Sequence, residues 1–258
     1  MNGMEPRREP EDGFRHIELD ETQSTNLECL ERARNGDPGN LWITARRQTG
    51  GRARRGRSWV SERGNLYASL LLIDPAPLER LASLPLAVSL AVYDAVRREL
   101  PQDVDVRIKW PNDVLVEGCK TSGILLEGEL LKGGHHALVI GCGINIAHKP
   151  AEALYPVTSL AERGATCSPE ILFARLYESM DRLLKIWNRG EGTSVLVEQW
   201  KQVAVGIGAP VTVNLPDRSL QGVFSGIDAQ GMLLLDLPDG SRQAIAAGDV
   251  FFLGQERS

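Results

Sequence analysis

The chain has 258 residues, of which 42% are hydrophobic, and it carries a formal net charge of -5 at pH 7. This length and composition can bury the core of one large domain, or of one large and one small domain. The longest apolar runs are far shorter than the roughly 18 to 20 residues of a membrane span, and the negative charge excludes general attraction to nucleic acid.

The N-terminal segment and the cysteines indicate where the protein acts. The first 14 residues are charged, contain proline and lack the apolar run of a secretion signal, so they are predicted to form a flexible tail of a cytoplasmic protein. The four cysteines lie far apart without a CxxC pair. This spacing argues against a zinc site and agrees with a reducing cytosol.

The first predicted elements are two strands and a helix. A strand over residues 14–21 leads into a helix in which Thr25 and Glu28 have the spacing of a capping box, and Gly36 ends this helix. The segment "LWITARR" is typical of a strand that runs into a loop rich in arginine and glycine. After the loop, "NLYASLLLI" is a continuous apolar run, which predicts a strand buried on both sides.

The middle of the chain is predicted to contain one helix followed by a β-meander. Pro85 fits the first turn of a helix over "PLAVSLAVYDAVRREL", which ends before Pro101. Four strand-like runs follow, separated by the turn sequences "PND", "EGCK" and "KGG". They predict consecutive hairpins rather than alternating units of strand and helix.

Two more helices are predicted before the composition changes. Ser168 and Pro169 mark the start of a long amphipathic helix that ends at Gly190, and another helix is expected near residues 194–204. From residue 206 onwards, short strands alternate with turns, which predicts a small closed β-barrel. The expected organisation is therefore a tail (1–14), an α+β domain (15–205) and the barrel (206–258).

One loop concentrates positive charge. Residues 49–59, "TGGRARRGRSW", contain four arginines and three glycines, and we call them the arginine loop. Glycine lets backbone N–H groups approach an anion, and arginine supplies planar pairs of donors that match phosphate or carboxylate oxygens. By itself the loop is also typical of a solvated basic surface or of an RNA-binding segment.

The neighbours of the arginine loop carry a more specific signal. Gln48 precedes it, and "KWPND" (109–113), "CKTSGIL" (119–125) and "GCGINI" (141–146) follow in order. This set resembles the biotin protein ligases, also called biotin–[acetyl-CoA-carboxylase] ligases, over roughly residues 15–258. The loop matches the family pattern GRGRxGRxW except at Ala53, where glycine is usual, so we expect altered affinity but retained function.

The resemblance implies an ATP-dependent ligase. Biotin and ATP form biotinyl-5'-AMP and pyrophosphate, and biotin then passes to one lysine of a biotin carboxyl carrier protein of acetyl-CoA carboxylase. The implied fold is α+β, with a mixed, largely antiparallel sheet and helices as in class II aminoacyl-tRNA synthetases, and a C-terminal β-barrel of Src-homology-3 type. The implied ligands are biotin, ATP and Mg²⁺.

The resemblance also implies the residues of the site. Lys120 is expected between the biotin carboxylate and the α-phosphate, where an ammonium group stabilises developing negative charge. Arg52, Arg54 and Arg55 join it as catalytic residues on a loop that folds over the ligands and excludes water. The residues expected at biotin are Ser24, Thr25, Asn26, Gln48, Gly51, Arg52, Ala53, Arg54 and Lys120.

A second set is expected on the nucleotide side. Trp59 is suited to stacking on adenine, and Asp113 to positioning Mg²⁺. The residues expected at ATP or the adenylate are Arg54, Arg55, Arg57, Trp59, Lys109, Asn112, Asp113 and Asn145. Structural interpretations stay open, namely helix capping for Ser24 or Thr25, turn capping for Asp113, a turn for Asn145 and core packing for Trp59.

Two other functions stay open at this point. A lipoate or octanoyl ligase has a related sheet and lysine but lacks the arginine-loop and "KWPND" motifs, and a nucleic-acid-binding module is a rival of another class. About 15 residues precede the predicted catalytic domain, too few for the DNA-binding domain of bifunctional relatives. We therefore expect an enzyme that binds no DNA and crosses no membrane, with a homodimer as one option.

Overall fold

The structure, a computed structural model, describes residues 13–153 and 155–252. Its helices and strands in chain order are β1 (Arg15–Thr22), α1 (Thr25–Arg34), β2 (Leu41–Gln48), β3 (Leu66–Ile73), α2 (Leu84–Arg98), β4 (Val106–Lys109), β5 (Asp113–Val116), β6 (Cys119–Lys120), β7 (Ser122–Leu130), β8 (His136–Ile144), α3 (Pro169–Trp187), α4 (Thr193–Val203), β9 (Pro210–Asn214), β10 (Ser219–Ile227), β11 (Leu233–Asp236), β12 (Arg242–Ile245) and β13 (Asp249–Phe252).

A five-stranded sheet in the order β1-β2-β3-β8-β7 lies at the centre of the larger domain. β1 and β2 are parallel, whereas the other neighbours are antiparallel. Strand β3 is buried along almost its whole length, because apolar side chains pack against it from both faces of the sheet. The expected α+β class with a mixed, largely antiparallel sheet is confirmed.

Alternation along the strands divides the core between the two faces of this sheet. Trp42 and Leu70 belong to the larger cluster, which includes side chains of α2 and α3. Their neighbours Ile43 and Leu71 belong to a second cluster with Cys29 and other residues of α1. The period of two in a strand accounts for this division, and it fixes α1 against the opposite face from the long helices.

The predicted helices are confirmed with small changes at their ends. Pro85 lies in the first turn of α2, and the Ser168 hydroxyl accepts a hydrogen bond from the backbone N–H of Ile171 at the start of α3. A short 3-10 turn carries the chain from the end of α3 to Gly190. Within the described ranges, no helix has the length and apolar character needed to span a bilayer.

The predicted meander is only partly correct. All four runs are strands, but β4, β5 and the short β6 form a separate three-stranded sheet, while β7 and β8 join the central sheet beside β3. Glu117 and Gly118 both have positive φ, which closes a tight hairpin between β5 and β6. The chain then leaves this small sheet, so a continuous series of hairpins does not form.

The expected closed barrel at the C-terminus is an open sheet in the described residues. Its strands are antiparallel in the order β12-β11-β10-β9-β13, and the two outer strands, β12 and β13, are not paired with each other. Strand β10 changes register between Phe224 and Gly226, an irregularity that increases local twist. The curled sheet remains compatible with an architecture of Src-homology-3 type.

The predicted tail extends one residue too far. Residues 1–12 lie outside the described residues, but Phe14 packs edge-on against Tyr177 and Trp42. The backbone of Phe14 also exchanges hydrogen bonds with the Tyr177 hydroxyl, both at 3.1 Å. An aromatic side chain at this position gains packing against α3, so Phe14 belongs to the ordered domain.

Candidate functional site

The arginine loop is a short hairpin that lies beside a cavity. Arg52 and Ser58 form an isolated antiparallel bridge, and the backbone N–H of Trp59 donates to the Gly51 carbonyl at 2.9 Å. The turn falls on Arg55 and Gly56, which have φ of 58° and 69°, a pair of left-handed residues that suits a tight hairpin. The loop therefore has a defined shape that presents its arginines in different directions.

The cavity lies where the loop, the central sheet, the small sheet and the C-terminal β13 meet. Its walls bring together most of the residues predicted at biotin and at ATP. Predicted residues that line it are Ser24, Thr25, Asn26, Gln48, Arg52, Ala53, Arg54, Arg57, Trp59, Lys109, Asp113 and Lys120. The sequence thus predicted a set of residues that the fold collects from four segments of the chain, at positions 24–26, 48–59, 109–113 and 120.

One end of the cavity carries neutral donors and acceptors. The Gln48 Oε1 accepts from the Thr25 backbone N–H at 2.9 Å and from its hydroxyl at 3.1 Å, and the Ser69 hydroxyl lies 2.7 Å from the Thr25 Oγ1 and 2.6 Å from the Asn26 Oδ1. Such a network suits a neutral ligand that both donates and accepts. Ser69 is a residue that the sequence analysis missed.

The capping box predicted for α1 is wrong. Ser24 is the N-cap residue and its side chain makes no capping hydrogen bond, and Thr25 is already the first helical residue. Gln48 from β2 accepts from the helix N-terminus in place of a local cap. Because this partner is 23 residues away in sequence, a spacing rule for neighbouring residues cannot find it.

Glu127 of β7 connects this neutral end to the arginine loop. Its Oε2 accepts from the Asn26 side-chain amide at 2.9 Å, and its Oε1 lies 2.5 Å from an Arg52 guanidinium nitrogen. The carboxylate therefore orients a predicted biotin residue and a predicted catalytic arginine at once. The sequence analysis predicted no role for Glu127. It placed this residue only within a strand.

Lys120 is held inside the cavity by a carboxylate and two aromatic rings. Its Nζ lies 2.7 Å from Asp113 Oδ1, and the two side chains are only 14% and 22% exposed. The same Nζ lies 5.9 Å from the Trp59 ring centroid and 5.1 Å from that of Tyr155, within the range of a cation–π contact. Lys120 is therefore a fixed, largely desolvated cation, and Tyr155 is a further residue that the sequence analysis missed.

Trp59 lies flat on two glycines of the central sheet. Gly123 and Gly143 are directly paired across β7 and β8, and a Cβ at either would come within 2.8 Å or 2.7 Å of the indole. The indole Nε1 is buried and has no hydrogen-bond partner among residues 13–153 and 155–252. An unmet buried donor costs free energy, so the packing of the indole on the sheet carries a cost at this nitrogen.

The remaining loop arginines reach towards β13. Arg54 donates from Nη1 to Asn112 Oδ1 at 2.8 Å and from Nη2 to the Gly248 carbonyl at 2.9 Å. Arg55 donates to the Asn214 carbonyl at 2.9 Å and pairs with Asp249 Oδ2 at 2.8 Å. The C-terminal sheet therefore contributes directly to the position of the loop.

Ala53 occupies a conformation open to any residue. Its φ and ψ are -129° and 173°, so the methyl group imposes no backbone strain at the position where the family pattern has glycine. Gly51 is different, because a Cβ there would lie 2.3 Å from the Trp59 carbonyl oxygen and 2.4 Å from the Ser61 hydroxyl. The close approach of the backbone at position 51 to Trp59 and Ser61 therefore requires glycine.

Four predicted residues do not line the cavity themselves. Gly51 and Arg55 belong to the loop, and Asn112 accepts from Arg54 while its amide donates to the Ile124 carbonyl at 2.5 Å. Asn145 is buried, and its amide donates to the Thr158 carbonyl at 3.3 Å. These contacts support the structural interpretation of Asn145, and its contact with the nucleotide stays a prediction.

The charged form of Lys109 is disfavoured by burial. Burial lowers its pKa below the ordinary 10.5, and Asp113 opposes this effect only in part. Its Nζ lies 5.5 Å and 5.6 Å from the rings of Phe251 and Phe252. A desolvated ammonium group costs stability but binds an incoming anion strongly.

Replacing Lys109 with methionine should therefore stabilise the protein while weakening its use of ATP. The folded state binds this proton less tightly than the unfolded chain, so wild-type stability rises with pH between the lowered pKa and 10.5. We expect Lys109→Met to raise the thermal midpoint at neutral pH by about 2–4 °C, the shift that about 1 kcal/mol gives in a chain of this size.

Thermal unfolding followed by circular dichroism at several pH values measures this effect. The advantage of Lys109→Met should shrink as pH approaches 10.5, and the KM for ATP should rise several-fold. Lys201→Met is the matched control, because Lys201 is exposed and pairs with Glu198 on α4. A lower midpoint for Lys109→Met than for wild type contradicts the expectation.

Comparison with known proteins identifies the family of the chain. The profile of the biotin/lipoate A/B protein ligase family matches residues 16–145, and that of the biotin protein ligase C-terminal domain matches residues 206–253. The biotin–[acetyl-CoA-carboxylase] ligase of Paracoccus denitrificans is 36% identical over 92% of this chain and 100% of its own. The corresponding ligase of Mycobacterium tuberculosis is 32% identical over 93% and 90%.

A solved structure shares the fold. The biotin protein ligase from Aquifex aeolicus, determined in complex with biotin and ATP, superposes with a TM-score of 0.76 at 29% identity. The match covers 92% of this chain and 97% of that one. Both the catalytic fold and the C-terminal sheet are therefore included in the similarity, and the chain belongs to the biotin protein ligases of the biotin/lipoate A/B protein ligase family.

Proposed function

We propose that this chain is an ATP-dependent ligase that forms biotinyl-5'-AMP and transfers biotin to one lysine of a biotin carboxyl carrier protein. The observation that carries the proposal is a single cavity lined by both a neutral hydrogen-bonding end and a cationic end. The neutral end comprises Thr25, Asn26 and Gln48, and the cations are Lys109, Lys120, Arg52, Arg54 and Arg57. Biotin combines a neutral ureido ring with a carboxylate, and ATP is a polyanion.

The first step joins two negatively charged groups. A biotin carboxylate oxygen attacks the α-phosphorus of ATP, the bond to the bridging oxygen breaks, and pyrophosphate leaves. Two like unit charges about 4 Å apart repel by roughly 4 kcal/mol at an effective dielectric constant near 20. Fixed cations near the reacting groups offset this repulsion. Lys120, Arg52 and Arg54 line the cavity and can supply these charges.

Lys120 is the residue best prepared for this role. Asp113 holds its ammonium group at 2.7 Å, so the charge is positioned before the substrates arrive and needs no reorganisation during the reaction. Asp113 does not cancel the positive charge of the whole site. Lys109 is a second cation close enough to interact electrostatically with both Asp113 and Lys120. The pair therefore fixes the lysine while the surroundings stay cationic.

Mg²⁺ is expected to bind at this site together with the nucleotide. No group of three or more histidine, cysteine, aspartate or glutamate side chains suited to a metal occurs in residues 13–153 and 155–252. Mg²⁺ commonly uses one or two carboxylates together with phosphate oxygens and water, and Asp113 fits the part of one such ligand. When bound with ATP, the ion would neutralise phosphate charge.

The second step uses the acceptor protein. The ε-amine of its lysine attacks the acyl carbon of biotinyl-5'-AMP, an amide bond forms, and AMP leaves. Until the acceptor arrives, the mixed anhydride must be kept from water. The arginine loop lines the cavity through Arg52, Arg54 and Arg57 and can provide that protection.

Mass spectrometry of an acceptor tests the proposal. The protein, ATP and biotin are incubated with an apo carrier domain, and we expect the mass of one biotinyl group to be added only when ATP is present. Parallel reactions contain lipoate or octanoate in place of biotin. Addition of lipoyl or octanoyl but no biotinyl mass would assign the chain to the lipoate branch of the family.

Three further features belong to the same proposal. We expect a cytoplasmic enzyme that binds no DNA and can form a homodimer. Support for the absence of DNA binding comes from the loop arginines, since Arg52 pairs with Glu127 and Arg55 with Asp249, which leaves less charge for phosphates of a polymer. Analytical ultracentrifugation and a mobility shift with duplex DNA test these two expectations.

A further inference from the structure

The neutral end of the cavity rests on a row of residues that crosses three strands of the central sheet. Ser69 of β3, Gly141 of β8 and Leu125 of β7 are paired directly in register. Asn26 lies over this row, because a Cβ at Gly141 would overlap the Asn26 side-chain amide. Glycine at the middle position therefore leaves the space that the amide occupies.

The Asn26 amide has one possible orientation across the sheet. Its Nδ2 lies 2.9 Å from Glu127 Oε2 and 3.4 Å from the Leu125 carbonyl oxygen. A carboxylate and a carbonyl only accept hydrogen bonds, so the nitrogen must point towards β7. The amide oxygen then points towards β3, where the Ser69 hydroxyl lies 2.6 Å away. Because an amide oxygen also only accepts, it calls for the Ser69 proton.

The hydroxyl groups of Thr25 and Ser69 have more contacts than protons. The Thr25 Oγ1 lies 3.1 Å from Gln48 Oε1 and 2.7 Å from the Ser69 Oγ, and Ser69 also contacts Asn26. Two hydroxyl protons thus serve three contacts. Hydrogen bonds between a hydroxyl and an oxygen are usually about 2.5–3.0 Å long, so the bond from Thr25 to Gln48 is the weakest of the three.

We propose that Ser69 is a positioning residue that prepares Gln48 to accept an N–H group of the biotin ureido ring. The Gln48 Oε1 has two lone pairs, and the Thr25 backbone N–H uses one of them at 2.9 Å. When Ser69 accepts the Thr25 hydroxyl proton, the second lone pair is free for the ligand. The inference rests on the proposed function and names the substrate group that this end of the cavity recognises.

The hydrogen-bond chain then runs in a single direction. The ligand N–H donates to Gln48, Thr25 donates to Ser69, Ser69 to Asn26, and Asn26 to Glu127, so each donor has one acceptor. A ligand oxygen at the same place would face the lone pair of Gln48. It could gain a hydrogen bond only by taking the Thr25 proton from Ser69. The chain therefore favours an N–H donor over an oxygen acceptor.

Isothermal titration of biotin into the Ser69→Ala variant tests the inference. Without Ser69, the Thr25 hydroxyl donates to Gln48 and competes with the ligand. We expect the Kd for biotin to rise about three- to tenfold, which corresponds to the loss of about one net hydrogen bond. Pyrophosphate release should show the same rise in the KM for biotin, with kcat and the KM for ATP within about twofold of wild type.

A double-mutant cycle with Thr25→Val separates positioning from packing. Valine has nearly the shape of threonine but no hydroxyl, so the second lone pair of Gln48 is free whether or not Ser69 is present. Adding Ser69→Ala in this background should change the Kd for biotin by less than about twofold. A serine that only supports packing would weaken binding equally in both backgrounds.

Stability gives a separate readout of the other end of the chain. Ser69→Ala leaves the buried Asn26 Oδ1 without this donor in the free and the bound protein alike. The cost should lower the thermal midpoint by a few degrees and cancel from the Kd. Ser89→Ala is the matched control, because Ser89 is equally buried, bonds to the Leu86 carbonyl at 3.1 Å and does not line the cavity. It should leave the Kd unchanged.

Two results overturn the inference. One is an unchanged Kd for biotin in Ser69→Ala, and the other is an equal rise in the Thr25→Val background. If Ser69→Ala does not fold, Ser69→Cys supplies a weaker acceptor and takes its place in the same cycle. If the wild type itself binds no biotin, the proposed function fails first, and the two failures are thereby distinguished.

Discussion

Replacing Lys120 with alanine should lower the rate of biotinyl adenylate formation by about a hundredfold or more. The loss is of the size seen when one preorganised stabilising group is removed from an active site. The structure strengthens the expectation, because Asp113 and the rings of Trp59 and Tyr155 fix the ammonium group inside the cavity. Water cannot replace a charge that is held this way, since a water molecule has to reorient during the reaction.

Release of pyrophosphate from ATP and biotin measures the effect, with thermal unfolding as a check on folding. Lys120→Ala leaves Asp113 without its partner, so a modest loss of stability is expected as well. Lys201→Ala is the control, because it removes an exposed lysine that pairs with Glu198 and does not line the cavity. Pyrophosphate release near the wild-type rate would exclude Lys120 from catalysis.

Local sequence patterns predicted the elements of the fold better than their arrangement. The uninterrupted apolar run of β3 and the cap at Ser168 depend on neighbouring residues, and both are confirmed. The hairpin of β7 and β8 across the turn "KGG" is confirmed as well, but the position of this hairpin beside β3 depends on the whole sheet. A turn sequence shows that the chain reverses, but it does not show which sheet receives the next strand.

The candidate site shows the same division. Residues within recognisable motifs, such as Lys120 and Asp113, were predicted and lie together. The residues that the sequence analysis missed act over long separations, with 75 positions between Glu127 and Arg52 and 195 between Asp249 and Arg54. A lone acidic residue in a strand gives no local sign of its partner, so only the fold reveals these contacts.

Replacing Gly143 with alanine should lower kcat/KM for ATP and biotin by about tenfold to a hundredfold without unfolding the protein. A methyl group there would lie 2.7 Å from the Trp59 indole, closer than non-bonded atoms approach, so the ring has to rise from the sheet. Displacing a positioning group by about 1 Å can cost up to a hundredfold in rate. Trp59 also contacts Lys120, so its movement disturbs the catalytic cation.

Stability should change little while activity falls, which distinguishes this effect from general damage. Alanine in the interior of a strand is favoured over glycine by about 0.5–1 kcal/mol, which offsets the displacement of one side chain. Gly128→Ala is the matched control, because a Cβ in the neighbouring strand β7 would lie 3.8 Å from the Ala137 carbonyl oxygen, an ordinary contact. The two variants should melt within a few degrees of each other, yet only Gly143→Ala should lose activity. Full activity of Gly143→Ala would mean that Trp59 can move away from Gly123 and Gly143 without affecting the reaction. The packing of Trp59 on the sheet would then be structural only.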